Sequence, residues 1–154
     1  MIVVGRAGRL HADAIGEYER RARRYWNLDI VEVREERARK GLEANRVRAA
    51  EGRRLLERVP AGAVSVALTR QGEAWSSEAL AAFLQELAVG SRAGAAFLIG
   101  GALGLAAEIL ETTDRRLSLG PLTLPHELAR LLLSEQLYRA GTIVRGEPYH
   151  KGPT

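Results

Sequence analysis

The sequence predicts an α/β fold in which a largely parallel sheet is flanked by helices. Short apolar segments alternate along the 154 residues with longer segments whose apolar residues recur at helical spacing. Two of the apolar segments, 63–68 and 95–99, are uninterrupted, as in parallel strands that are covered on both faces. No linker rich in Pro, Gly or Ser divides the chain, so we expect a single domain over residues 1–154.

The first half of the chain contains two predicted strand–helix units. Residues 1–5 form a short apolar run that ends in glycine, which is typical of a buried strand. Segment 11–25 has an apolar stripe and an arginine-rich outer face, which predicts an amphipathic helix. Segment 28–33 alternates apolar and acidic residues, as a strand does. A second helix is expected over 42–58, and Pro60 lies just beyond its end.

The second half continues the alternation. The two uninterrupted apolar segments are its strands, and a helix over 76–87 separates them, with Ser76 as its expected N-cap. A short helix is predicted at 103–111 and a short strand at 117–119. The last helix spans 125–140, and a proline at a first helical position suits its start.

Composition excludes several kinds of chemistry. The chain has no cysteine, which excludes disulfides, thiolate metal sites and thiol nucleophiles, and its three histidines make a histidine-rich metal site implausible. We therefore expect no metal. No apolar stretch reaches the roughly 20 residues that cross a bilayer, and charge arrives too early at the start for a secretory signal. A cytoplasmic protein without a membrane partner is expected.

The basic charge is unevenly distributed. The net charge is +4, and residues 1–58 hold fifteen basic and ten acidic residues, against eight and nine in the remainder. Most of the basic residues are arginines, which pair with phosphate in a forked geometry and stack on bases. The N-terminal half is therefore expected to contact a polyanion, unless its arginines only solvate the outer faces of helices.

Three loops at the ends of predicted strands are candidate ligand-binding segments. An open parallel sheet binds its ligand beyond the carboxyl ends of its strands. That rule selects the loop after Leu68, the glycine-rich turn 100–104 and the segment 119–125. The turn suits either close approach of a ligand to the backbone or a tight strand-to-helix connection. Segment 119–125 is apolar and stiffened by two prolines, so it is either a ligand wall or a buried connection.

The C-terminal region concentrates side chains capable of chemistry. Glu135 and Arg139 are four residues apart on a predicted helix, so they pair or face a common site. Near the chain end, Tyr149 offers a ring for base stacking, His150 offers an imidazole, whose unperturbed pKa lies near neutrality, and Lys151 is a cation. The alternative for this segment is a frayed, polar terminus.

Together these segments resemble the ribosomal RNA large subunit methyltransferase H family, which belongs to the SPOUT methyltransferases. The segments that carry the resemblance are 97–105, 119–126, 134–140 and 145–151, with further similarity at 51–56 and 68–77. The resemblance covers essentially the whole chain. It implies a parallel sheet with a deep trefoil knot near the C-terminus, and a homodimer that uses S-adenosylmethionine. It also implies methylation at N3 of a pseudouridine in a stem-loop of 23S ribosomal RNA, on the assembled ribosome.

The resemblance also places the cofactor contacts. By position they fall on Leu68, Gly101, Leu119, Gly120, Pro121, Leu122, Thr123 and Leu124. These residues belong to the three loops that the strand-end rule selects. Two positions of the first loop depart from the family pattern: Thr69 stands where an acidic residue is common, and Glu73 stands where a lysine is common.

A catalytic hypothesis arises from the reaction itself. The N3–H of the acceptor is a weak acid that must lose its proton, which a nearby cation favours and a general base can accept. We expect Tyr149 and His150 to shape the acceptor site, with His150 as the base. Arg139 and Lys151 would hold phosphate or stabilise the developing anion. Glu135 would position Arg139.

Two other functions are alternatives to methyl transfer. A non-catalytic ribosome- or RNA-binding factor would share the basic N-terminal half, but it would not need glycine-containing loops at three strand ends. An ordinary dinucleotide-binding enzyme should show G-x-G-x-x-G after its first strand, and the run Gly5-Arg6-Ala7-Gly8 does not complete that pattern.

Overall fold

The computed structural model of the chain describes residues 1–37 and 43–151. It contains five strands: β1 (Ile2–Val4), β2 (Val31–Val33), β3 (Val64–Ala74), β4 (Ala95–Ile99) and β5 (Arg115–Ser118). They form one sheet in the order β2-β1-β4-β3-β5, and every pairing between them is parallel. The predicted α/β class with a parallel sheet is confirmed.

Five α-helices flank the sheet: α1 (Ala12–Ala22), α2 (Ala44–Leu56), α3 (Ser77–Val89), α4 (Ala107–Thr112) and α5 (His126–Val144). A single 3₁₀ turn, Pro148–Lys151, comes after α5. Among the described residues, no helix is both long enough and apolar enough to span a bilayer. The trefoil knot stays a prediction.

Strands β1 and β4 are apolar throughout because both faces of the sheet are covered there. Side chains alternate across a strand, so in β1 Val3 packs with α1, α3 and α5, while Ile2 and Val4 pack with α2 on the other face. In β4, Phe97 packs on the same face as Val3, and Leu98 packs on the face of Ile2 and Val4. This burial on two sides explains the uninterrupted apolar segments of the sequence.

Several boundaries differ from the predicted ones. Strand β3 does not end at Leu68 but continues to Ala74, with a register shift between Leu68 and Glu73. Gly72 permits this continuation, because a Cβ there would lie 2.6 Å from the carbonyl carbon of Leu117 in β5. Helix α5 runs four residues beyond the predicted end at 140, and α4 is shorter than the predicted 103–111.

The predicted start of α3 is confirmed in detail. The Oγ of Ser76 accepts a hydrogen bond from the backbone N–H of Ala79 at 3.1 Å, which satisfies one of the free N–H groups of the first turn. Pro125 takes the N-cap position of α5 and not the predicted first helical position, so the helix begins one residue later than predicted. Helix α5 therefore begins directly after the apolar segment 119–125.

Helix α5 is joined to α1 and the sheet edge by a buried ion-pair network. The Arg130 guanidinium donates to Glu19 of α1 and to Glu32 of β2, each at 2.8 Å. Arg130 and Glu19 are both almost completely buried. Each charge is compensated by its neighbours, which is the condition for holding ionised groups inside a protein.

Candidate active site

The three candidate loops meet around one cavity at the carboxyl edge of the sheet. Its volume is about 720 Å³, within the range of small-molecule sites. The residues that line it come from β3 where its register shifts, from the turn after β4 and from the segment before α5: Leu68–Gln71, Ile99–Leu105 and Thr123–His126, with Arg48, Leu110 and Ala129. The strand-end rule therefore located the cavity correctly.

A smaller apolar hollow of about 100 Å³ adjoins the cavity. Leu68, Thr69, Arg70, Leu124 and Ala129 line both spaces. The other lining residues of the hollow are Leu117, Leu119, Gly120 and Leu122. Of the eight residues predicted to bind the cofactor, all except Pro121 line one or both of these spaces.

The turn after β4 approaches other atoms too closely to carry side chains. A Cβ on Gly100 would lie 2.8 Å from the carbonyl carbon of Gly104, and one on Gly101 would lie 2.8 Å from Oε2 of Glu51. Gly104 has a φ of +75°, a conformation that favours glycine. The turn is a tight strand-to-helix connection, and it is also part of the cavity wall.

Two polar groups at the α2 side of the cavity have no partner among the described residues. They are Nε of Arg48, whose side chain lines the cavity, and Oε2 of Glu51 behind Gly101. The other oxygen of Glu51 accepts the Glu36 N–H at 3.0 Å. Burial raises the pKa of the Glu51 carboxyl.

Sequence reasoning missed Glu51, although a signal for it was present. Val47, Glu51 and Leu55 recur at spacings of four residues on α2, and all three are buried. An acidic residue within an apolar helical stripe is rarely buried unless it has a partner or a role. That pattern alone would have marked Glu51 as a candidate.

Three of the four predicted catalytic residues, Glu135, Arg139 and Tyr149, form a second cluster. Oε1 of Glu135 accepts from Arg139 Nε at 3.0 Å, from Arg139 Nη2 at 2.7 Å and from the Tyr149 hydroxyl at 3.1 Å. The Arg139 guanidinium also lies 4.8 Å from the centre of the Tyr149 ring. The expected pairing of Glu135 with Arg139 is confirmed. Lys151 is exposed, whereas the side chain of His150 lies outside the described part of the structure.

Burial is the main reason that the pKa of the Tyr149 hydroxyl is raised. Interactions with Tyr18 and with the Glu135 carboxylate raise it further. The hydroxyl therefore stays protonated at ordinary pH. It can donate a hydrogen bond but cannot serve as a base.

The cluster and the cavity are far apart within one chain. His126 lines the cavity at the first residue of α5, and Arg139 lies thirteen residues further along the same helix. At about 1.5 Å per residue, this places Arg139 about 20 Å along the helix axis from the cavity. The cluster of one chain is therefore distant from the His126 end of its own cavity. Leu119 and Gly120 lie nearer to it, because they line a hollow together with Gln136, which donates to Glu135 at 2.6 Å.

Contacts of Glu127 with His11 and Gly8 fix the segment after β1 to the start of α5. Nδ1 of His11 and Oε2 of Glu127 are 2.7 Å apart, and the other Glu127 oxygen accepts the Gly8 N–H at 3.2 Å. Hydrogen bonding to His11 is the main reason that the pKa of Glu127 is lowered. The sequence predicts only that His11 precedes a helix, which it does.

Comparison with known proteins identifies the class to which this fold and site belong. Residues 1–150 match the family described as "Predicted SPOUT methyltransferase". The chain belongs to the SPOUT methyltransferase family, whose methyl donor is S-adenosylmethionine.

Individual relatives show which methyltransferases of this family the chain is similar to. A protein of Gemmatimonas aurantiaca is 52% identical over 152 residues, which cover 98% of this chain and 97% of the relative. A Rubrobacter xylanophilus protein is 47% identical, with 97% and 96% covered. One from Listeria monocytogenes is 46% identical, with 89% and 88% covered. All three are named ribosomal RNA large subunit methyltransferase H.

The residues of the cavity fit S-adenosylmethionine. The apolar hollow suits a flat adenine ring, and the glycine turn lets a ligand lie against the backbone. The unpartnered polar atoms of Arg48 and Glu51 suit the charged end of the molecule. Within 1–37 and 43–151, no group of three or more His, Cys, Asp or Glu side chains is placed to hold a metal ion.

Proposed function

We propose that this protein transfers the methyl group of S-adenosylmethionine to N3 of a pseudouridine in a stem-loop of 23S ribosomal RNA, on the assembled ribosome in the cytoplasm. The observation that carries the proposal is the cavity at the ends of β3, β4 and β5, in a chain that matches the family over nearly its full length. The names of the relatives supply the class of RNA substrate.

The active form is a homodimer in which each site combines two protomers. In one chain, Arg139 lies about 20 Å along α5 from the end of the cavity that His126 lines, so we assign the cluster of one copy to the cavity of the other. An exposed apolar surface near the start of α5 supports this arrangement. Leu122 is 75% exposed, Leu128 36% and Leu132 37%, and this surface is available to a second copy.

The residues of the cluster prepare the acceptor. S-adenosylmethionine supplies an activated methyl group on a positively charged sulfur. Arg139 favours the anion that N3 becomes when it loses its proton, and Glu135 holds the Arg139 guanidinium in place. The Tyr149 hydroxyl donates and helps to orient the base. We assign removal of the N3 proton to His150 and contact with phosphate to Lys151.

The RNA is held mainly by its backbone. Arg20, Arg23 and Arg24 are exposed at the end of α1 and just after it. Such arginines contact phosphate without reading sequence, and binding of this kind weakens steeply as salt is added. Two copies of this surface in a dimer would let a small protein grip a large RNA by its shape.

Incubation with tritiated S-adenosylmethionine and ribosomes that lack the methylation tests the activity. We expect label in the large-subunit RNA. Binding to ribosomes without any transfer would contradict the proposal and would favour the non-catalytic binding factor. Wild-type protein with ribosomes that already carry the methyl group is the control, and it should give no label.

Mixed dimers test the shared site. Gly101→Ala alters only the cavity, and Arg139→Ala alters only the cluster, so we expect each variant to be nearly inactive alone. After dissociation and reassembly together, half of the dimers are mixed, and each mixed dimer has one intact site. About a quarter of the wild-type activity should then return. No recovery in verified mixed dimers would place both groups of residues in one chain's site.

A further inference from the structure

Two oppositely charged side chains of α2 lie at this cavity, Arg48 in its lining and Glu51 behind Gly101, and each has one buried polar atom without a partner among the described residues. Another nitrogen of Arg48, Nη2, donates to Oδ1 of Asn45. Arg48 and Glu51 lie three residues apart on α2, so they face the same side of the helix. Nε of Arg48 and Oε2 of Glu51 are both buried and make no hydrogen bond with the described residues. Buried polar atoms in this state are rare and call for an explanation.

Glu51 lies directly behind Gly101 in the wall of the cavity. It is only 4% exposed, and its Oε2 lies 2.8 Å from the place that a Cβ on Gly101 would occupy. Gly101 itself lines the cavity. A negative charge at this buried position acts on the cavity across the backbone of a glycine, with no side chain between them, and electrostatic interactions are stronger at buried positions than in water.

Among the described residues, the charges around Glu51 compensate it only in part. Glu35 and Glu36 raise the pKa of the Glu51 carboxyl, and Arg54 lowers it. Arg54 also pairs with Glu36 and donates to the Arg34 carbonyl. Burial of an incompletely compensated carboxylate is costly, and a cationic ligand group would offset that cost.

We infer that Arg48 and Glu51 are the recognition site for the α-amino-acid end of the cofactor, with Arg48 binding the carboxylate and Glu51 acting as counter-charge to the ammonium group. This inference rests on the proposed use of S-adenosylmethionine. The arrangement orients the ligand, because the apolar hollow at the other side of the cavity accepts the adenine. A guanidinium is suited to a carboxylate because its N–H groups match the two oxygens.

Two ligands separate recognition of the amino-acid end from a purely structural role. S-adenosylhomocysteine carries the amino-acid end, and methylthioadenosine has the same adenosine and sulfur without it. We expect isothermal titration calorimetry to show that Arg48→Met and Glu51→Gln each weaken S-adenosylhomocysteine at least tenfold and leave methylthioadenosine within about twofold. Arg48→Lys should restore part of the affinity. Arg46→Met, an exposed arginine of the same helix, is the matched control and should change neither.

The possible outcomes are distinct. Equal weakening of both ligands in the variants would assign Arg48 and Glu51 to the structure of the cavity and would overturn the inference. Unchanged affinity for both ligands would overturn it as well. If wild-type protein bound neither ligand, the proposed use of S-adenosylmethionine would itself fail. Binding of methylthioadenosine also reports that each variant is folded.

Discussion

The carboxyl of Glu51 occupies the space that a side chain on Gly101 would need. Oε2 of Glu51 lies 2.8 Å from that Cβ position, and Cγ1 of Val4 lies 3.1 Å from it. Both neighbours are buried, so neither can swing into solvent. Glycine is therefore required at position 101 because the buried carboxyl of Glu51 on α2 fills the space of a side chain.

Gly101→Ala is expected to weaken the binding of S-adenosylmethionine by at least tenfold. The new methyl group cannot fit without moving the turn or Glu51, and both border the cavity. Titration calorimetry measures the effect. Gly16→Ala is the control: it lies in α1 with no atom within 4 Å of the new methyl group, and it should leave binding unchanged and stabilise the fold by about 0.5–1 kcal/mol. Full affinity in Gly101→Ala would show that the turn adapts freely.

Glu51→Gln is expected to stabilise the protein without cofactor at neutral and alkaline pH. The folded-state pKa of Glu51 is raised by burial, so its carboxylate opposes folding once the pH rises above the ordinary value of 4.5. The gain in melting temperature should grow as the pH rises from about 4.5 and vanish below it. Thermal unfolding from pH 4 to pH 9 measures this. A variant less stable than wild type at pH 8 would contradict it.

Together with the inferred loss of cofactor affinity, this stabilisation would make Glu51 a residue kept for function at a cost in stability. A single substitution would then move stability and binding in opposite directions. A residue with only a structural role would lose both together.

Arg130→Met should destabilise the fold by about 3–5 kcal/mol. It removes the cation that both Glu19 and Glu32 contact at 2.8 Å, and it leaves Glu19 buried without compensation. Urea unfolding measures the loss. Arg20→Met is the matched control, because its ion pair with Glu17 is exposed and is worth less than about 1 kcal/mol. Similar losses of unfolding free energy in the two variants would mean that burial of the Arg130 network adds nothing to the stability of the fold.

Tyr149→Phe should lower kcat about tenfold without changing the shape of the pH–rate profile. The hydroxyl donates to the Glu135 carboxylate at 3.1 Å, and losing a hydrogen bond to a charged group costs about 1.5 kcal/mol. Because its pKa is raised, mainly by burial, the hydroxyl does not titrate between pH 6 and 10. Rates measured across that range test this. An alkaline limb that disappears in the variant would show that Tyr149 titrates.

Much of the fold could be predicted because hydrophobic periodicity is a local property. Uninterrupted apolar runs at 63–68 and 95–99 indicated strands covered on both faces, and Ser76 indicated the start of α3. The continuation of β3 to Ala74 could not be predicted. It depends on Gly72 fitting against the backbone of Leu117, a contact between segments distant in sequence.

The cavity could be located by the strand-end rule, but its α2 wall could not. That rule considers only the loop at the carboxyl end of each strand, whereas Arg48 and Glu51 reach the cavity from a helix. The separation between the cavity and the Glu135–Arg139–Tyr149 cluster could have been predicted from the sequence. A predicted helix over 125–140 already implied about 20 Å between its start and Arg139.

The position of the transferred methyl group tests the proposed activity most directly. After incubation of S-adenosylmethionine and this protein with ribosomes from a strain that lacks the methylation, the large-subunit RNA is digested and its nucleosides are identified by mass spectrometry. We predict a single product, 3-methylpseudouridine, at one stem-loop. Methylation of a different base, or of a ribose hydroxyl, would contradict the proposed reaction.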